Sequence, residues 1–150
     1  MIAAESARPS LSLLWRGPLD SCNYGCAYCP FAKRAISSSM LARDRAALTR
    51  FVDWVKRTQT HCLRILFTPY GEALIWPAYR EALVELSQLS HITQVSIQTN
   101  ASGPLSFLSD CDLRKVSLWI SWHPTEIELS PFVEKIHALT NIDPFFLDQI

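Results

Sequence analysis

A chain of 150 residues, 49% hydrophobic and 19% charged, carries enough apolar side chains for one packed domain and too many for a disordered segment. Its 14 Lys and Arg offset 14 Asp and Glu to a formal net charge of zero, with no block of like charge, which argues against a nucleic-acid footprint or an anionic membrane partner. No stretch approaches the ~18 apolar residues of a membrane span. Residues 1–9 lack the charged, apolar and cleavage regions of a secretory signal, so the expected compartment is the cytoplasm, where thiols stay reduced.

Ser10–Trp15 (SLSLLW) reads as a first strand, broken by Gly17 and Pro18. Asp20 to Lys33 then reads as a loop. Ala47, Leu48, Phe51, Val52 and Val55 recur at helical spacing and predict a helix from about Asp44 to Arg57. Cys62–Thr68 (CLRILFT) is a second strand, ending at Pro69, Tyr70 and Gly71. Pro77 suits a first helical position, and Ala82, Leu83, Leu86 and Leu89 follow on one face. Thr93–Thr99 alternates as a third strand, and Asn100 to Pro104 turns the chain into a short helical piece at Leu105 to Asp110. Lys115–Trp122 is the fourth strand. Ser130 and Pro131 signal a last helix to about Leu139, while Thr125-x-x-Glu128 offers a competing capping box.

This order predicts an α/β fold: about four βα units on a parallel sheet, open or curled as a partial barrel. It is read as one domain over 1–150, with residues 141–150 an atypical tail. Ligand sites in such folds lie at the C-terminal ends of the strands. Here the loops after all four strands carry the polar and cysteine-rich features.

Cys22, Cys26 and Cys29 place three thiols within eight residues. In a reducing compartment that clustering points to metal or redox chemistry rather than to disulfides. Iron–sulfur clusters are held by thiolates, normally four. Three from one loop would leave one iron open to a substrate, and Gly25 is expected to let the backbone wrap tightly. A structural zinc site wants four ligands, and Cys62 or His61 could complete one, but a single triplet fits zinc less well. Cys62 and Cys111 are otherwise expected as small buried apolar groups.

The segment CNYGCAYC over Cys22–Cys29 resembles the cluster motif of the radical S-adenosylmethionine superfamily, CxxxCx(aromatic)C, with Tyr28 at the aromatic position. The resemblance implies a radical SAM enzyme with a 4Fe–4S cluster on Cys22, Cys26 and Cys29 and S-adenosylmethionine on the open iron. An electron donor of flavodoxin or ferredoxin type would reduce the cluster, a sulfonium C–S bond would break, and a 5′-deoxyadenosyl radical would act on an unknown substrate. Tyr70-Gly71-Glu72 resembles the superfamily's Gly-Gly-Glu segment, which contacts the methionine amino group, although Tyr70 replaces the first glycine. That implies cofactor contacts at Gly71 and Glu72, beside Tyr28. Gln98-Thr99-Asn100 is similar to a polar strand-end segment beneath the cofactor, implying Asn100. Ser121-Trp122-His123 implies Ser121 and His123 near the ribose or methionine carboxylate.

Plainer readings stand beside these: Glu72 in a solvated turn, Asn100 in an ordinary turn, His123 as a packed strand-end side chain. The phrase DSCNYGCAYCPFAKR with SWHPTE also resembles one bacterial subgroup of the superfamily, which names no substrate. Superfamily barrels have more βα units than the four counted here. The chain is therefore expected to be a fragment of a longer enzyme, in preference to a partial barrel completed by another chain or a short domain. A non-catalytic iron–sulfur or zinc-binding fragment that needs a partner is the alternative function.

Overall fold

The structure, a computed structural model, describes residues 8–31 and 35–140. The expected tail at 141–150, residues 32–34 of the cysteine loop and most of the 1–9 segment lie outside the described residues. The elements are β1 (Ser10–Trp15), α1 (Ser38–Arg57), β2 (Cys62–Phe67), α2 (Pro77–Ser87), β3 (Ile92–Thr99), a 3-10 turn (Ser106–Asp110), β4 (Val116–Ile120) and α3 (Leu129–Thr140). The four strands form one parallel sheet in the order β1-β2-β3-β4. Parallel neighbours need long crossovers; α1 and α2 supply the first two, and the segment 100–115 with its 3-10 turn supplies the third. The α/β fold is therefore present among the described residues, with four parallel strands and three helices, the expected helical piece after β3 being a 3-10 turn.

Register aligns the strand ends. Trp15 pairs with Phe67, Phe67 with Ile97, and Ile97 with Leu118. All four following loops consequently leave from one edge of the sheet.

Alternation along the strands divides the two faces. Leu63, Ile65, Phe67, Val95, Ile97, Val116 and Leu118 are buried with Leu48, Val52 and Val55 of α1 and Ala82, Leu83 and Leu86 of α2 in one core. Each such side chain contributes about 1.5–3 kcal/mol by leaving water. The other face carries a polar ladder. Arg64 donates from Nε and Nη2 to Gln94 Oε1 at 3.2 and 2.7 Å, and the Ser96 and Ser117 hydroxyls pair at 2.6 Å.

Three of the boundary differences from expectation have a cause in local hydrogen bonding or helix geometry. Helix α1 begins at Ser38 rather than Asp44, because Ser37 caps it by accepting from Met40 N at 3.2 Å, worth about 1 kcal/mol. The first two turns are largely exposed, so no apolar period marks them. Asp44 lies inside the helix, buried, and accepts from Tyr79 Oη at 3.0 Å, tying α1 to α2. Helix α3 starts at Leu129, so Ser130 is not its cap; Pro131 is tolerated because first-turn amides have no helical acceptor anyway. Strand β4 ends at Ile120, and Trp122 Nε1 instead donates to Ile127 O at 2.9 Å, closing the turn before α3. Among the described residues no helix is long and apolar enough to cross a membrane.

Candidate functional site

The cysteine loop leaves β1 and is pinned by Leu19, which is fully buried. Within it Cys29 N donates to Cys26 O at 3.1 Å, and Tyr24 N points at Cys22 Sγ at 3.4 Å. The loop is then gripped by the segments after the other three strands, one by one.

After β2, Glu72 N donates to Ser21 O at 3.0 Å. Gly71 makes that approach possible, since a Cβ there would stand 1.8 Å from the same carbonyl oxygen. Tyr70, in the place of the first glycine, sends its ring outward. Its ring centroid is 4.9 Å from that of Phe31, and the Arg16 guanidinium lies 4.7 Å over it. Tyr70 therefore sits at the rim with its ring partly exposed.

Glu72 is not the solvated turn residue of the plainer reading, being only 2% exposed. Oε1 accepts from Leu74 N at 2.9 Å and Thr99 Oγ1 at 2.8 Å, and Oε2 accepts from Asn100 N at 2.6 Å. Burial pushes its carboxyl above the usual range, outweighing those three hydrogen bonds and the pull of Lys135. Three of its roughly four acceptor positions are committed to the protein. Glu72→Ala would bury three donors without partners, at about 1–3 kcal/mol each before relaxation. The expected loss is about 3–5 kcal/mol, read from the urea midpoint at unchanged slope. Glu72→Gln should recover only part, because its amide nitrogen would face the Asn100 N–H.

After β3, Asn100 Nδ2 reaches Cys22 Sγ at 3.8 Å and Asn23 Oδ1 at 3.4 Å, while Asn100 Oδ1 accepts from Ser102 N at 2.9 Å. Asn23 Nδ2 in turn donates to Ser102 Oγ at 3.0 Å. Ala101 takes the left-handed conformation, φ 55°, within this turn, a strain of about 1–2 kcal/mol for a residue with a Cβ.

After β4, Ser121 is exposed and its N–H donates to Thr99 O at 3.0 Å. His123 Nδ1 lies 3.4 Å from Cys26 Sγ and 2.9 Å from Tyr28 Oη. Its ring is parallel to that of Tyr28 and edge-on to Tyr24, with centroids 6.2 and 5.7 Å away. His123 thus meets the cysteine loop directly.

These segments enclose a cleft of about 240 Å³ at the strand ends. Cys22, Cys29, Gly71 and Glu72 line it together with Asn100, Ser121 and His123. Cys26 and Tyr28 do not line it; they stand against His123. Among the described residues no three His, Cys, Asp or Glu side chains converge as on a single metal ion. Each thiol has a separate neighbour: Asn100 for Cys22, His123 for Cys26 and the Phe31 carbonyl for Cys29. Burial, with the nearby Glu72 charge, raises the Cys22 thiol above its ordinary value despite the Tyr24 N–H.

The expected tight wrap at Gly25 is not demanded by the chain itself, since a Cβ there would meet only Glu126 Oε1, at 3.9 Å. Cys62 and His61 cannot complete a site on the loop. Cys62 pairs with Ser10 at the start of a six-residue strand, about 16 Å from the far end at ~3.3 Å per residue. Cys111 precedes β4 and is likewise at the wrong edge. Both are partly rather than fully buried, and burial pushes the Cys111 thiol to about 11.

Sequence reading missed Lys135, whose charge acts on Glu72 from α3 and whose own pKa burial lowers. No motif announces it, because its approach depends on how α3 packs. The Asn23–Ser102 contact was also missed, although Asn100-x-Ser102 is a readable Asx turn. No family model, curated protein or solved structure matches this chain.

Proposed function

We propose that this chain is the cluster- and cofactor-binding part of a radical S-adenosylmethionine enzyme, with the sheet forming part of a (β/α) barrel wall. The observation that carries the reading is that the three-cysteine loop after β1 shares one cleft with the segments after β2, β3 and β4. The polar ladder on the second sheet face supports a wall facing a lumen, since an open all-parallel sheet is ordinarily apolar on both faces.

The donor set fits a cluster. Three thiols from one loop suit a 4Fe–4S group, whose usual ligands are cysteine thiolates. Cys22, Cys26 and Cys29 would hold it. When bound, the group supplies one electron that splits S-adenosylmethionine into methionine and a 5′-deoxyadenosyl radical. The remaining residues position and enclose. Asn100 Nδ2 stands 3.8 Å from the Cys22 sulfur, and the His123 ring packs beside the loop at Cys26. Glu72 holds the β2 and β3 loops at fixed separation, and the exposed Ser121 hydroxyl is available to a ligand's polar groups. Phe31 and Tyr70 place apolar rings along the edge of the cleft.

Anaerobic reconstitution with iron and sulfide tests the reading. The expected result is about four irons per chain, an EPR signal after dithionite that changes on adding S-adenosylmethionine, and 5′-deoxyadenosine as product. Stoichiometric zinc without iron uptake would sink it. A second reading, a closed Cys₃His zinc site, is favoured by one observation, the 3.4 Å approach of His123 to Cys26. The same metal assay separates the two.

A further inference from the structure

We infer that His123 is a positioning residue for the Cys26 sulfur, donating Nδ1–H to it and thereby setting how readily the bound cluster accepts an electron. The inference rests on the reading above and goes beyond it, since that reading needs no residue outside the loop to act on a ligand sulfur.

The contact joins residues 97 positions apart and is built from several sides. Tyr28 lies parallel to the imidazole, with an interplanar angle of 4°, and Tyr24 meets it at 77°. The His123 carbonyl accepts from Glu126 N and Ile127 N at 3.0 and 3.1 Å, which fixes the backbone. Pro124 further restricts that backbone to extended conformations. Cys26 is 5% exposed, so little water competes for its sulfur.

Proton counting assigns the direction. A cysteine that ligates iron has lost its proton, and its sulfur can only accept. In this contact Nδ1 is then the donor, and Tyr28 Oη, 2.9 Å from it, either shares that N–H or gives its own O–H to the sulfur. Reduction adds one electron and no proton, so the sulfur becomes more negative. A donor at 3.4 Å therefore stabilises the reduced state more than the oxidised one.

The experiment is an EPR-monitored redox titration of the reconstituted chain and its variants, with iron counted in each. His123→Leu should keep the wild-type iron content while its reduction constant falls about tenfold, a shift of about 59 mV to more negative potential. His123→Gln, which keeps an N–H donor, should recover most of the shift. Tyr28→Phe, which keeps the ring and removes a hydroxyl that also neighbours Cys26, should shift the potential by less than His123→Leu does. An unchanged potential in His123→Leu overturns the inference. So does loss of iron in that variant, which would make His123 a ligand. A shift in Tyr28→Phe equal to that of His123→Leu would assign the effect to the Tyr28 hydroxyl and overturn it as well. Failure of the wild-type chain to take up any cluster removes the function reading and this inference together, whereas uptake with an unmoved potential removes this inference alone.

Discussion

Replacing Cys26 by serine is expected to abolish cluster uptake, and Cys22→Ser and Cys29→Ser should do the same, while Cys62→Ser and Cys111→Ser leave it nearly intact. A serine hydroxyl is a far weaker acid than a thiol and a poor ligand for iron, so each loop variant leaves two thiolates where the group needs three. Two thiolates alone do not hold a cluster against sulfide and water. The two outer cysteines differ by position rather than by chemistry. Cys62 opens β2 and Cys111 precedes β4, so both sit at the edge of the sheet opposite the loop. Their replacement should cost about 1 kcal/mol or less of stability, since both thiols are only partly buried. Iron and acid-labile sulfide per chain, measured after anaerobic reconstitution, check the contrast. Equal losses from Cys26→Ser and Cys62→Ser would overturn the ligand assignment.

That contrast was readable in the sequence because both of its parts are local. The cysteine spacing is a pattern within one loop, and the strand that precedes it is marked by its own apolar run and by Gly17 and Pro18. The βα alternation then fixes which edge of a parallel sheet each loop occupies. What was not readable depends on packing between distant segments. Glu72 looks like a turn carboxylate until Leu74 N, Thr99 Oγ1 and Asn100 N are seen converging on it. His123 looks like a strand-end residue until β4 ends early and carries it to Cys26 and Tyr28. The start of α1 was hidden differently: its first turns are largely exposed, and only the Ser37 cap marks them.

Gly71→Ala should do more damage than any other substitution that leaves the chemical groups of the site in place. The new Cβ would stand 1.8 Å from Ser21 O, 2.3 Å from its carbonyl carbon and 2.9 Å from its nitrogen. Non-bonded heavy atoms settle at about 3.5–4.0 Å, so a rotamer change cannot relieve the clash and backbone must move by more than about 1 Å. The Ser21 carbonyl is not free to yield, because Glu72 N donates to it and the neighbouring Leu19 is fully buried. The motion would therefore separate the cysteine loop from the segment after β2. The expected outcome is a loss of about 2–4 kcal/mol in urea denaturation and defective iron uptake in whatever remains folded. Gly25→Ala is the internal control, since only Glu126 Oε1 lies near the added Cβ, at 3.9 Å. It should change stability by no more than about 0.5 kcal/mol. If Gly25→Ala keeps its stability but loses iron, the glycine makes room for the bound group rather than for the chain. If Gly71→Ala matches the wild type in both measurements, the Gly71–Ser21 contact does not hold the loop, and the architecture described for the cleft is wrong at its base.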